Sequence, residues 1–125
     1  MGKKILMVDD DRDLTEAVAG LLEAEGYEVI TENDGKEGVR RAKEEKPDLM
    51  LLDVMMPGAD GFDIAREMHA DEEINKIPVI MLTGIRQVMG LAYKFSPDEV
   101  WLPVKAVLEK PINPELLLKT VNNYV

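Results

Sequence analysis

The chain has 125 residues, 46% hydrophobic and 32% charged, a balance that suits one globular domain with a single core. It has no cysteine, which excludes disulfides and thiolate metal sites. Against 15 basic residues stand 25 acidic ones, a net charge of −10 that argues against binding DNA or RNA through phosphate contacts. No apolar run is long enough for a membrane span or a secretion signal, so the expectation is a cytoplasmic protein with neither a membrane nor a direct nucleic-acid partner.

The run Ile5-Leu6-Met7-Val8 predicts a first strand. Leu14, Val18, Leu21 and Leu22 repeat at helical spacing, and Gly26 ends that helix. A weaker strand follows over Tyr27 to Thr31. Gly35 to Glu45 reads as a helix with Val39 and Ala42 on its inner side, stopped by Pro47. Leu49-Met50-Leu51-Leu52 is wholly apolar, as a strand buried on both faces should be. Ile64, Ala65 and Met68 mark a short helix after Gly61. Val79-Ile80-Met81-Leu82 is a second wholly apolar strand.

The stretch Gly84 to Pro103 is less patterned. Gly84 to Tyr93 fits a helix with Val88, Leu91 and Ala92 inside, and Ser96-Pro97-Asp98 reads as a turn. Trp101 either anchors a partner or packs this longer loop onto the body. Ala106-Val107-Leu108 forms the last strand. Asn113-Pro114-Glu115 opens the last helix, with Leu117 and Val121 facing inward. Strand and helix alternate five times. That order predicts an α/β fold over residues 1–125: a doubly wound, five-stranded parallel sheet, flavodoxin-like (βα)5, strand order 2-1-3-4-5.

Ligands of such sheets bind beyond the carboxyl ends of the strands, where the strand order reverses. There the first strand ends in Asp9-Asp10-Asp11, the third in Asp53, the fourth in Thr83 and the fifth in Glu109-Lys110-Pro111. Crowded carboxylates need a proton or a cation. Mg2+ suits them, since it takes carboxylate, water and phosphate oxygens. Lys110 adds a point charge and Thr83 a hydroxyl, so the set fits phosphoryl transfer to a carboxylate. Taken singly, each residue has a plainer role. Asp11 or Asp13 caps the first helix, Asp53 is a turn residue, Thr83 a strand residue and Lys110 a solvated charge. His69, the one histidine, reads as a surface residue on a polar helix face.

Several strings resemble those of response-regulator receiver domains of two-component signalling, in the manner of chemotaxis regulators. They are Ile5-Leu6-Met7-Val8-Asp9-Asp10-Asp11, Leu51-Leu52-Asp53-Val54-Met55-Met56-Pro57-Gly58 with Asp60-Gly61-Phe62, Met81-Leu82-Thr83-Gly84, and Glu109-Lys110-Pro111. The resemblance implies that Asp53 accepts a phosphoryl group from a histidine kinase or histidine phosphotransfer protein. It implies that Asp10 binds Mg2+ directly, that Asp9 assists, and that Met55 offers its backbone carbonyl alongside Asp53. Thr83 and Lys110 would contact the phosphoryl group, and Lys110-Pro111 would be cis. The implied function is a signalling switch read by a downstream protein through the face of the fourth predicted helix and fifth strand. It is not an enzyme beyond its own phosphorylation and dephosphorylation.

Two departures stand out. Val107 occupies a position where the family often has Tyr or Phe, and the stretch between Thr83 and Lys110 is long. Met55 and Ile85, both apolar, flank the path of attacking water and predict slow self-dephosphorylation. Two other classes compete. A Mg2+-dependent phosphohydrolase usually has an Asp where Met55 stands, and a docking-only receiver has no use for the full residue set. With Val125 just after the last helix, the expectation is a receiver alone, either acting by binding or cut from a longer chain.

Overall fold

The wholly apolar runs form the middle of the sheet, as burial on both faces demands. In a computed structural model that describes residues 2–84 and 103–125, β1 (Lys4–Val8), β3 (Leu49–Asp53) and β6 (Val79–Gly84) are almost completely buried. The less apolar β2 (Glu28–Glu32) and β7 (Ala106–Lys110) take the two edges. All pairs are parallel, in the order β2-β1-β3-β6-β7. This is the expected 2-1-3-4-5, renumbered because a small hairpin, β4 (Met55–Met56) with β5 (Ala59–Asp60), intervenes.

Alternation along the strands splits the core into two layers. Ile5, Met7, Leu49, Leu51, Ile80 and Leu82 meet Val18 and Leu22 of α1 (Arg12–Ala24) and Leu117 and Val121 of α4 (Pro114–Tyr124). Leu6, Val8, Met50, Leu52 and Met81 meet Ala42 of α2 (Gly38–Glu45) and Ile64, Ala65 and Met68 of α3 (Gly61–Ala70). Each buried Leu, Ile or Met contributes about 1.5–3 kcal/mol, so the strand register is set by the core rather than by the polar strand ends. Among the described residues no helix is long and apolar enough to cross a membrane.

The element ends follow local chemistry. Asp11, not Asp13, caps α1, accepting the Leu14 N–H at 3.1 Å. Gly26 takes φ +92 on the way into β2, which begins one residue later than its sequence suggested. The helix expected from Gly35 starts instead as a 3-10 turn over Gly35–Glu37, because the Asp34 carboxylate accepts the Lys36 N–H at 3.0 Å and tightens the first turn. Gly84 closes β6 rather than opening a helix. The rest of that expected helix, the Ser96-Pro97-Asp98 turn and Trp101 lie outside the described residues. Asn113 caps α4 with Pro114 in its first turn, and exposed His69 lies near the end of α3, as read from the sequence.

The hairpin ties α3 to the end of β3. Asp60 caps α3 through the Phe62 N–H at 2.8 Å, and the Gly61 N–H donates to the Val54 carbonyl at 2.7 Å. A Cβ on Gly61 would overlap the Asp53 carbonyl oxygen and lie 2.8 Å from both Val54 Cα and the Val54 carbonyl oxygen. These are backbone atoms that cannot swing aside. Gly61→Ala should therefore destabilise the fold by about 2–3 kcal/mol, measured as a lower urea midpoint at unchanged m-value.

Candidate functional site

The polar strand ends converge at the C-terminal edge of the sheet. β1 and β3 are neighbours, so Asp9, one residue past β1, and Asp53, the last residue of β3, stand side by side. Asp9 has no exposed surface and Asp53 has 2%. Asp10 is exposed at the mouth. One carboxylate oxygen from each of Asp9, Asp10 and Asp53 lies within 4.8 Å of the others, a grouping that could hold a metal ion.

Lys110 reaches this cluster from the far edge. It ends β7, with β6 between it and β3. The β6 residue level with it is Gly84, which bears no side chain. Its Nζ lies 2.9 Å from Asp9 Oδ2 and donates to Asp53 Oδ1 at 3.2 Å. The Lys110-Pro111 peptide is cis. Thr83 is completely buried in β6, one residue beyond Leu82, the register partner of Asp53. Its hydroxyl lies 3.4 Å from the Gly84 carbonyl.

Among the described residues the charges do not balance locally: three carboxylates face one ammonium. Asp9 Oδ2 is buried and, although paired with Lys110, has no hydrogen bond of regular geometry among the described residues. A buried carboxylate oxygen in that condition is costly, and a hard cation bound by all three acids would satisfy it. Burial is the largest influence on Asp53, and with the Asp9 charge it outweighs Lys110 and pushes the carboxyl up to about 6. For Lys110, burial works against the charge. The bonds to Asp9 and Asp53 prevail and hold the ammonium above its ordinary range.

The sequence reading thus finds its residues together: Asp9, Asp10, Asp53 and Lys110 in direct proximity, and Thr83 on the adjacent strand end. Met55 follows in β4, two residues past Asp53, while its side chain and Ile85 lie outside the described residues. Val107 is partly buried against the layer beneath α2 and α3. Sequence reasoning missed Asn33 and Thr15. The Asn33 amide donates to the Asp9 carbonyl at 2.7 Å and to the buried Thr15 hydroxyl at 3.3 Å. Their signal was slight, a polar Asn33-Asp34-Gly35 turn after β2 and a threonine on the inner side of α1.

Known proteins resemble this chain in sequence and in fold. A family model described as the response regulator receiver domain matches residues 5–122. The protein PilH of Pseudomonas aeruginosa is 37% identical over 122 residues, covering 95% of this chain and 94% of PilH. The alkaline phosphatase synthesis transcriptional regulatory protein PhoP of Bacillus subtilis is 38% identical over 122 residues, and the match covers 88% of this chain and 50% of PhoP. This chain therefore spans about half the length of that regulator. Among solved structures, the receiver domain of the sensor histidine kinase PA1611 of Pseudomonas aeruginosa superposes with a TM-score of 0.85 at 26% identity. The superposition covers 99% of this chain and 98% of that one, which has a magnesium ion coordinated in its active site cleft.

A carboxyl raised in the folded state costs stability as it ionises. Its stabilising contribution is complete below the unfolded value near 4 and is lost as the pH rises through about 6. In chelator, Asp53→Asn should therefore be more stable than the native chain at pH 7, by about 1–2 kcal/mol after allowing for solvent screening at the open mouth. The gain should vanish near pH 4. Paired urea titrations across pH 4–7 measure it.

Proposed function

The chain belongs to the response regulator receiver family, a family of phosphorylation-activated signalling switches, and on that premise we propose that Asp53 is its phosphoacceptor. The observation that carries this reading is the buried Asp53 carboxylate, bonded to Lys110 at 3.2 Å and grouped with Asp9 and Asp10. Receiver domains take their phosphoryl groups from histidine kinases. The donor here is a histidine kinase or a histidine phosphotransfer protein, and the reader is a downstream protein. Transfer in the cytoplasm and a single-domain unit over residues 1–125 complete the reading.

Asp9, Asp10 and Asp53, with the Met55 carbonyl, are the groups that would hold Mg2+. When bound, the ion offsets negative charge on the carboxylates and on the incoming phosphoryl oxygens. Asp53 is largely ionised at neutral pH, since its carboxyl titrates at about 6. One of its oxygens attacks phosphorus as the donor's P–N bond breaks. The product is an acyl phosphate on Asp53, and the electron pair of the broken bond returns to the donor imidazole. Lys110 needs no long movement to follow the charge from the carboxylate to the phosphoryl oxygens. The Thr83 hydroxyl, on the neighbouring strand end, donates to a phosphoryl oxygen. The two together shift the population of conformers on the β6–β7 side of the sheet. The chain is a switch and turns over no separate substrate.

Intact mass after incubation with acetyl phosphate tests this. The native chain should gain one phosphoryl group with Mg2+ and none in chelator, and Asp53→Ala should gain none in either. Labelling that survives Asp53→Ala would move the acceptor elsewhere. A folded native chain that takes no label, from acetyl phosphate or from a phosphorylated histidine kinase, would be a docking module.

A further inference from the structure

Asp9, Asp10 and Asp11 form the turn between β1 and α1, and a cation pocket built on a turn depends on how firmly the turn is held. Asp11 is held at several points. Its side chain caps α1, its N–H donates to Asp9 Oδ1 at 2.9 Å, and its carbonyl accepts the Thr15 N–H at 3.0 Å. Asp9 is held at its N–H, which donates to the Glu32 carbonyl at 3.1 Å and continues the β1–β2 ladder by one step. The Asp9 carbonyl lies beyond the ladder, and a side chain holds it, Asn33 Nδ2 at 2.7 Å.

The same amide donates to Thr15 Oγ1 at 3.3 Å. That hydroxyl, in a side chain 2% exposed, donates in turn to the Arg12 carbonyl at 2.9 Å. Asn33 thus couples the first residue of the turn to the first turn of α1. Asp10, the exposed acid of the cluster, stands between these two anchored neighbours, and this amide is one of the anchors of Asp9.

We infer that Asn33 is a positioning residue of the acidic pocket: by holding the Asp9 carbonyl and the Thr15 hydroxyl, its amide sets how tightly Asp9 and Asp10 bind a divalent cation. The inference rests on the Mg2+-binding reading of the pocket. Removing the amide leaves the Asp9 carbonyl without this donor and loosens that end of the turn, with the Asp9 N–H still bonded to the Glu32 carbonyl. The carboxylates then spend less time in the geometry that a small octahedral ion demands.

Calorimetric titration of the full chain with Mg2+, alongside melting curves in chelator and in saturating Mg2+, tests this. Asn33→Ala should weaken Mg2+ binding by about 10-fold. Thr15→Val, which keeps the volume and removes the second link together with the hydroxyl's bond to the Arg12 carbonyl, should weaken it by about 3-fold. Both variants should show a smaller rise in melting temperature on adding Mg2+ than the native chain. A variant that melts lower in chelator but binds Mg2+ as the native chain does would reduce Asn33 to a structural clamp and overturn the inference. Should Asn33→Ala fail to fold, Thr15→Val decides by the same comparison. A native chain that takes up no Mg2+ would remove the metal reading and this inference together, whereas native binding matched by both variants would remove this inference alone.

Discussion

Lys110 holds together a pocket that would otherwise push itself apart. Asp9 and Asp53 are both buried, at the ends of adjacent strands, and like charges so placed disfavour each other's ionisation. One ammonium, arriving from a strand two places away, pairs with both at 2.9 and 3.2 Å. The pairing does not fully compensate, since the Asp53 carboxyl still lies near 6. Among the described residues the pocket therefore carries residual negative charge and a buried oxygen without a regular hydrogen bond. Both conditions favour the arrival of a cation.

The core makes this unfavourable grouping possible. β1, β3 and β6 bury nearly every side chain, and the two apolar layers fix their registers independently of the acids. The strand ends inherit that placement. A two-layer core of many Leu, Ile and Met side chains outweighs the few kcal/mol that one crowded pocket costs. The same logic fixes the approach of α3. Gly61 is packed so closely on the Asp53 and Val54 backbone that α3 begins where β3 ends, with no slack between them.

Much of this was legible in the sequence, and what escaped has a common cause. The apolar runs marked the three inner strands because burial on both faces leaves no room for alternation. Asp9, Asp53 and Thr83 were legible because each directly follows or ends such a run, and Asp10 and Lys110 because each lies two residues past an apolar run. The edge strand β2, half-exposed, was offset by one residue. The 3-10 turn at Gly35–Glu37, the β4–β5 hairpin and the Asn33–Thr15 link were not legible. Each depends on a short-range or tertiary hydrogen bond that leaves no periodicity in the chain. Choosing Asp11 over Asp13 as the cap was likewise a matter of geometry.

Lys110 belongs to an edge strand, which among the described residues is laced to the sheet along one side, by its pairing with β6. A strand restrained from one side is more compliant than the inner strands, which are gripped from both. The tether to Asp9 and Asp53 therefore pulls on the sheet where its stiffness is least. Any change in the charge at the end of β3 changes the tension in that tether. Any displacement that results would be taken up first at the sheet's margin, before the inner strands that hold the acids.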